Sequence, residues 1–213
     1  NHSFVTRRQL DRLQKDFDTR KSTNRIQGYR IIRKLGAGAM ATVFLAQQES
    51  LDRPVAIKVL PKKFSENEDF LQRFYKEGRA AARLNDANIV QAYDVGQSGE
   101  YHYFVMEYVD GTTVYDQIVE KKKLSEEEAL PIIRQVAKAL QHAHDRGFIH
   151  RDIKPKNIMI AKNGDVKLAD LGLARALDDR HAAEAEAGRA YGTPYYISPE
   201  QIRGKKNITP AAD

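Results

Sequence analysis

The sequence predicts an α+β fold in two unequal parts, and three observations carry that expectation. Strand-like runs rich in β-branched and aromatic residues crowd residues 28–109, with one helical interruption. From residue 110 the chain turns mainly helical. Late in this second part, Asn163-Gly164 joins two short apolar runs, a strong hairpin signal. Strands gathered ahead of helices in this way fit an α+β class.

The elements follow in order. Residues 1–27 read as a basic N-terminal extension, with seven basic side chains (Arg7, Arg8, Arg12, Lys15, Arg20, Lys21, Arg25) against three acidic ones (Asp11, Asp16, Asp18). A solvated leader is the expectation, though Leu10, Leu13 and Phe17 at i, i+3, i+7 would suit a short amphipathic helix. The strand-like runs are "YRIIRKLG", "ATVFLAQQ", "RPVAIKVL" and "YHYFVMEYV". Between the last two, residues 66–84 read as a helix, with Ser65 and Glu68 as a capping box and Phe70, Phe74 and Ala81 on one side. Gly78 at its middle costs about 1 kcal/mol relative to Ala.

After "MEYVDG", Ser125 and Glu128 form a second capping box that opens a long helix. Leu130, Ile133, Ala137, Leu140 and His144 recur on one stripe, and Ile132, Val136 and Ala143 widen it, so deep burial is expected. Gly147 is a natural stop. The octapeptide "HRDIKPKN", His150 to Asn157, then lies on a loop between this helix and the hairpin "NIMIAKNGDVKLAD". Rigid elements on both sides suit a loop that holds reacting groups.

Composition narrows the classes. The chain has 213 residues, 41% hydrophobic and 30% charged, as in ordinary soluble globular proteins. No run of about 18 apolar residues exists to cross a membrane as a helix. Cysteine is absent, which excludes disulfides and thiolate zinc sites. The net charge of +6 draws on the basic arm, and such an arm can attract nucleic acid or an anionic membrane surface. A nucleic-acid-binding protein would rest on that arm alone.

Several stretches carry chemistry. Gly36 and Gly38 sit between two strand-like runs, and Ala41 takes the third position of a G-x-G-x-x-G pattern. Glycines allow backbone amides to approach phosphates closely, although two glycines alone more often mark a turn. Lys58 ends an apolar strand and needs an anion if buried, for which Glu77 on the following helix is a candidate. The plainer alternative has Lys58 reaching solvent and Glu77 on an exposed face. In the octapeptide, Asp152 can accept a hydroxyl proton and Lys154 can neutralise phosphoryl charge. Asn157 and Asp170 supply oxygen ligands of the kind Mg²⁺ prefers.

Taken together and in order, these motifs resemble those of eukaryotic-type Ser/Thr protein kinases, over about residues 28–213. The wording "LGAGAMATVFLA", "RFYKEGRAAARLN", "FVMEYVDG" and "GTPYYISPE" is most similar to the bacterial branch. The resemblance implies a two-lobed protein kinase-like fold: a small antiparallel sheet lobe with one helix and its hinge over 28–109, and a mainly helical, incomplete large lobe over 110–213. It implies ATP and Mg²⁺, with Mn²⁺ as an alternative ion, and protein substrates. Gly36, Gly38 and Ala41 match the phosphate-covering loop, and Val43 and Ala56 match adenine-facing neighbours. Lys58, held by Glu77, matches the lysine on the α- and β-phosphates. Met106 matches the gatekeeper, the Glu107 carbonyl and Val109 amide the hinge contacts, and Met159 the pocket floor. Asp152 matches the catalytic base, Lys154 the γ-phosphate contact, and Asn157 and Asp170 the metal ligands. The resemblance also implies a signalling role in the cytoplasm, with any membrane anchor outside this chain and no specific nucleic acid.

Departures from the pattern set further expectations. The metal-binding triplet reads "DLG", with Leu171 keeping apolar bulk. Arg151 resembles an arginine paired by loop phosphorylation, yet residues 173–190 hold no Ser, Thr or Tyr. Glu184 or Glu186 would then supply the anion constitutively, against the plainer reading of a solvated loop. Thr193, in "GTPYYISPE", resembles the Ser/Thr rather than the Tyr branch. The chain stops at Asp213, which resembles the aspartate opening the central helix of the large lobe. The expectation is therefore a fragment, or a face covered by a second copy or an exchanged segment. A nucleotide-binding pseudokinase or regulatory scaffold, inactive as this truncated chain, is the alternative to an active kinase.

Overall fold

The computed structural model describes residues 26–37, 41–60, 66–170, 175–176, 193–205 and 207–213, with the backbone alone for residues 69, 70, 73, 77, 80, 175 and 176. Strands β1 (Tyr29–Ala37), β2 (Thr42–Gln48), β3 (Arg53–Val59), β4 (Ala92–Ser98) and β5 (Tyr101–Glu107) form one sheet in the order β1-β2-β3-β5-β4, antiparallel throughout. Alternation along β3 divides its two faces. Val55, Ile57 and Val59 join Phe44, Ala46 and Val105 in one buried cluster. Ile26 belongs to the same cluster, so the packed sheet reaches one residue or more into the expected leader. Ala56 and Lys58 point the other way, opposite Met106 and Phe104 of β5, and face a cleft.

Strand β4 was not anticipated. Its Asp94, Gly96 and Gln97 break the β-branched pattern, and as an edge strand it exposes part of its length. Gly96 has a packing reason: a Cβ there would lie 2.7 Å from the Tyr103 hydroxyl. Helix α1 (Glu68–Ala82) crosses the sheet through Phe74 and Ala81. Gly78 explains itself here, since a Cβ would sit 3.2 Å from Val95 Cγ2 and 3.4 Å from Phe104. The glycine weakens the helix locally and lets it lie close to β4 and β5. Ser65, the expected cap, and the Phe70 side chain lie outside the described residues.

Beyond the sheet, β6 (Gly111–Thr113) runs directly into helix α2 (Val114–Lys121), capped by Thr113 with a reciprocal Asp116 box. Helix α3 (Glu126–Asp145) opens at Ser125 with the expected box to Glu128. Strand β7 (Phe148–Ile149) follows α3 after Gly147, whose φ of 76° makes the turn. Strands β8 (Ile158–Ala161) and β9 (Val166–Leu168) form the expected hairpin, with Gly164 at φ 88°. Strand β10 (Arg175–Ala176) pairs with β7, and a short helix α4 (Pro199–Ile202) lies near the end of the chain.

The expected burial of α3 is corrected. Ile132, Val136, Ala139 and Ala143 are buried, whereas Leu130 and Ile133 are 58% and 59% exposed and Ala137 is also exposed. Both sets satisfy a 3.6-residue period, and periodicity does not say which one meets a partner. Helix α3 packs on β7 and β9, and that contact selects the second set. Apolar surface on this helix is therefore exposed on the stripe that periodicity alone assigns to the core.

Helix, hairpin and sheet are joined through one core containing Leu84, Ile89, Phe104, Val136, Ala143 and Leu168. Full burial of each large aliphatic side chain contributes about 1.5–3 kcal/mol. Polar groups fix the register of this junction. Val90 N donates to Leu168 O at 2.9 Å, and Leu168 N donates to Asn88 O at 2.8 Å. The Asn88 amide donates to Gln135 Oε1 and Val166 O, while Val166 N donates to the same Gln135 oxygen.

Candidate active site

A cavity of about 510 Å³ lies between the sheet and the β8–β9 hairpin. Val43 and Ala56 line its roof, Met106 its back, Glu107 and Val109 the connecting segment, and Met159 its floor. Antiparallel pairing positions the roof, with Ala56 opposite Met106 and Val43 opposite Lys58. Gly111 clamps the exit of the connecting segment onto the hairpin. A Cβ there would lie 1.9 Å from the Ile160 carbonyl oxygen, so β6 and β8 could not pair. The Glu107 carboxylate is held by Lys167 Nζ, 2.7 and 2.9 Å from its two oxygens.

Lys58 and Asp170 meet at the inner end of the cavity, with Nζ 3.0 Å from Oδ1 across 112 residues of sequence. Asp170 has φ 63°, a left-handed conformation that costs a non-glycine residue roughly 1–2 kcal/mol. Asn157, buried on a 3-10 turn (Pro155–Asn157), lines the same end. Its amide Nδ2 donates to the Asp152 backbone oxygen at 2.9 Å and to Asp152 Oδ2 at 3.2 Å. This leaves the amide oxygen as an acceptor. Ala169 N donates to Asn157 O at 2.8 Å and ties the turn to the segment carrying Asp170.

The loop from His150 to Lys154 is anchored from below. His150 is 1% exposed. Its Nε2 donates to Ala169 O at 3.1 Å, and its Nδ1 accepts from Asp152 N at 3.3 Å. One nitrogen donates and the other accepts, so the ring is neutral, and burial holds its pKa below the usual histidine value. Arg151 also has a left-handed backbone, φ 68°. The Asp213 carboxylate fixes it: Oδ1 accepts from Arg151 N at 2.6 Å, and Oδ2 accepts from His150 N at 2.8 Å and from His144 Nε2 at 2.9 Å. On the other side, Gln201 Nε2 donates to Arg151 O at 2.9 Å. Side chains from two remote segments, Asp213 and Gln201, thus hold a strained peptide in place.

Above this support the Asp152 carboxylate is fully engaged. Its Oδ1 accepts from Thr193 Oγ1 at 2.7 Å, and its Oδ2 accepts from Lys154 Nζ. Lys154 also donates to Thr193 Oγ1 at 2.8 Å, which closes a three-membered polar ring.

The structure brings together most of the residues singled out from sequence. Gly36, Val43, Ala56, Lys58, Met106, Glu107, Val109, Asn157, Met159 and Asp170 line one cavity, and Asp152 and Lys154 adjoin it through Asn157. Ala41 is buried and is not part of the lining. Gly38, Leu171, Glu184, Glu186 and the Glu77 side chain lie outside the described residues. Sequence reasoning missed the supporting contacts of Asp213, Gln201 and His144, which depend on long-range packing. It also missed Arg33, Asp116 and Lys156 on the cavity wall, although Lys156 stands inside the octapeptide from His150 to Asn157.

Comparison with known proteins gives a consistent result. The protein kinase domain family matches residues 29–213. The serine/threonine-protein kinase PrkC of Bacillus subtilis is 42% identical over 181 residues, covering 84% of this chain and 28% of that protein. PknL of Mycobacterium tuberculosis is 40% identical over 185 residues, 87% of this chain and 46% of that protein. PknB of Mycolicibacterium smegmatis is 43% identical over 175 residues, 80% of this chain and 28% of that protein. The chain therefore spans between about a quarter and a half of the length of these relatives.

Proposed function

The chain belongs to the protein kinase family, and from that premise we propose that it transfers the γ-phosphoryl group of ATP to serine or threonine hydroxyls of protein substrates. The observation that supports this best is the convergence of Lys58, Asp170 and Asn157 on one cavity that adjoins Asp152. The adenine would lie between Val43 and Ala56 above and Met159 below, bounded by Met106 and facing the Glu107 and Val109 backbone. Lys58 would meet the α- and β-phosphates.

Asp152 would orient the acceptor hydroxyl and take its proton as the oxygen bonds to phosphorus and the β,γ-bridging bond breaks, releasing ADP. Lys154, beside that carboxylate, would offset charge on the moving phosphoryl group. Such a reaction needs orientation and charge compensation more than covalent help from the protein. Asn157 and Asp170 fit a hard divalent cation, since together they offer an amide oxygen and a carboxylate without nitrogen or sulfur donors. Mg²⁺, or Mn²⁺ in its place, supplies further neutralisation of the phosphates when bound.

The test measures Mg²⁺-dependent transfer from γ-labelled ATP to a generic protein, with the full protein carrying this chain. Asp152→Asn should lower the rate by about 10²–10⁴-fold, the range for loss of a positioned general base. Transfer at the unsubstituted rate would overturn the assignment and favour a nucleotide-binding scaffold.

A further inference from the structure

The mouth of the cavity carries charges that the transfer reaction above does not use. Among the described residues three acidic side chains line the cavity, and each carboxylate is already engaged. Glu107 is held by Lys167 and Asp170 by Lys58. Asp116 accepts from Thr113 N at 3.0 Å and from Thr113 Oγ1 at 2.7 Å, and these bonds hold its pKa below the ordinary carboxylate value.

The lining cations are distributed differently. Lys58 lies at the inner end, whereas Arg33 on β1 and Lys156 on the 3-10 turn are exposed, one above the cavity and one below. Arg33 makes a long contact of 3.5 Å to the Tyr108 hydroxyl. Lys156 rests with its ammonium 4.5 Å from the centre of the Tyr115 ring, a contact that places the charge without neutralising it. Lys156 also sits between Lys154, which touches Asp152, and Asn157 in the chain. Lys156 and Asn157 line the same cavity, and Asn157 bonds Asp152, so a peptide that presents a hydroxyl to Asp152 approaches the turn that carries Lys156.

We propose that Lys156, supported by Arg33 on the opposite lip, selects protein substrates carrying an acidic side chain near the phospho-acceptor residue. The inference rests on the kinase reading above. Asp116 stays ionised and tempers the charge of Lys156, but two cations, Lys156 and Arg33, against this one carboxylate leave the described rim net positive for an incoming carboxylate. A basic side chain at the same place would meet an ammonium and a guanidinium.

Peptides that differ only by Glu, Gln or Lys at each position around one threonine provide the test, with the full protein carrying this chain as enzyme. At one or more flanking positions, Glu should exceed Gln in kcat/KM by about fivefold at low salt, as for an exposed ion pair at the upper end of its range. The preference should fade near about 0.5 M salt. Lys156→Glu should reverse it, Lys156→Arg should keep it, and the change should fall more on the KM of the peptide than on that of ATP. Equal use of the three peptides, a preference unmoved by Lys156→Glu, or a change confined to the KM of ATP would overturn the proposal. Peptide binding followed by fluorescence anisotropy gives the same comparison without turnover. Inactivity toward every peptide would count against the kinase reading, whereas equal binding of Glu and Lys peptides would count against this one.

Discussion

His150 is buried among charged neighbours, yet its ring is neutral because one nitrogen donates to Ala169 O and the other accepts from Asp152 N. Burial lowers its pKa in the folded state. In the unfolded chain it titrates near the ordinary value of about 6.5. Below that pH the unfolded state binds a proton that the folded state refuses, so stability falls as pH drops and is level above it. His102, also buried and lowered, adds to the same slope. Thermal unfolding at pH 7, 6 and 5 should show a falling melting temperature. His150→Phe should flatten part of that fall while losing about 1–3 kcal/mol at every pH, because the Asp152 amide and the Ala169 carbonyl lose their partner. An equal slope in both proteins would show that His150 does not titrate this way. At this scale the octapeptide made Asp152, Lys154 and Asn157 legible by residue type alone. The left-handed backbone of Arg151 was not legible, since nothing in an arginine announces a positive φ.

Elements were legible where chemistry is local. The Ser125–Glu128 box and the Gly164 turn depend on residues within a few positions and could be read directly. Ser125→Ala should cost about 1 kcal/mol in chemical denaturation. Burial of α3 was not legible, because two stripes compete and a neighbour decides between them. Strand β4 was missed because an edge strand tolerates Asp, Gly and Gln that a central strand would not. Gly111 is the element-level position with the least tolerance. Gly111→Ala should separate β6 from β8 and cost about 3 kcal/mol, read as a lowered denaturant midpoint. Thr193→Val should lower phosphoryl transfer about tenfold by releasing Asp152 from one hydrogen bond, while Thr193→Ser should retain it. Equal activity of the two variants would show that the hydroxyl has no positioning role.

Across the whole molecule, the site draws on residues that are individually unremarkable in sequence and gain meaning from their order. Lys58 and Asp170 illustrate this: each alone reads as a surface charge, and folding places them 3.0 Å apart. ATP with Mg²⁺ should stabilise the fold by about 2.7 kcal/mol at one hundred times the dissociation constant, visible as a rise in melting temperature. Asp170→Asn should remove most of that rise, and an undiminished rise would exclude Asp170 from the binding site. The distribution of contacts also orders the assembly of the chain. Strands β1 to β3 close through neighbouring hairpins, whereas the amides of His150 and Arg151 wait for an acceptor 63 and 62 positions downstream. During synthesis from the N-terminus, the roof of the cavity is therefore complete well before its reaction loop can be set. A ribosome-bound chain halted before Asp213 should already carry a folded sheet, with a reaction loop that has no fixed shape.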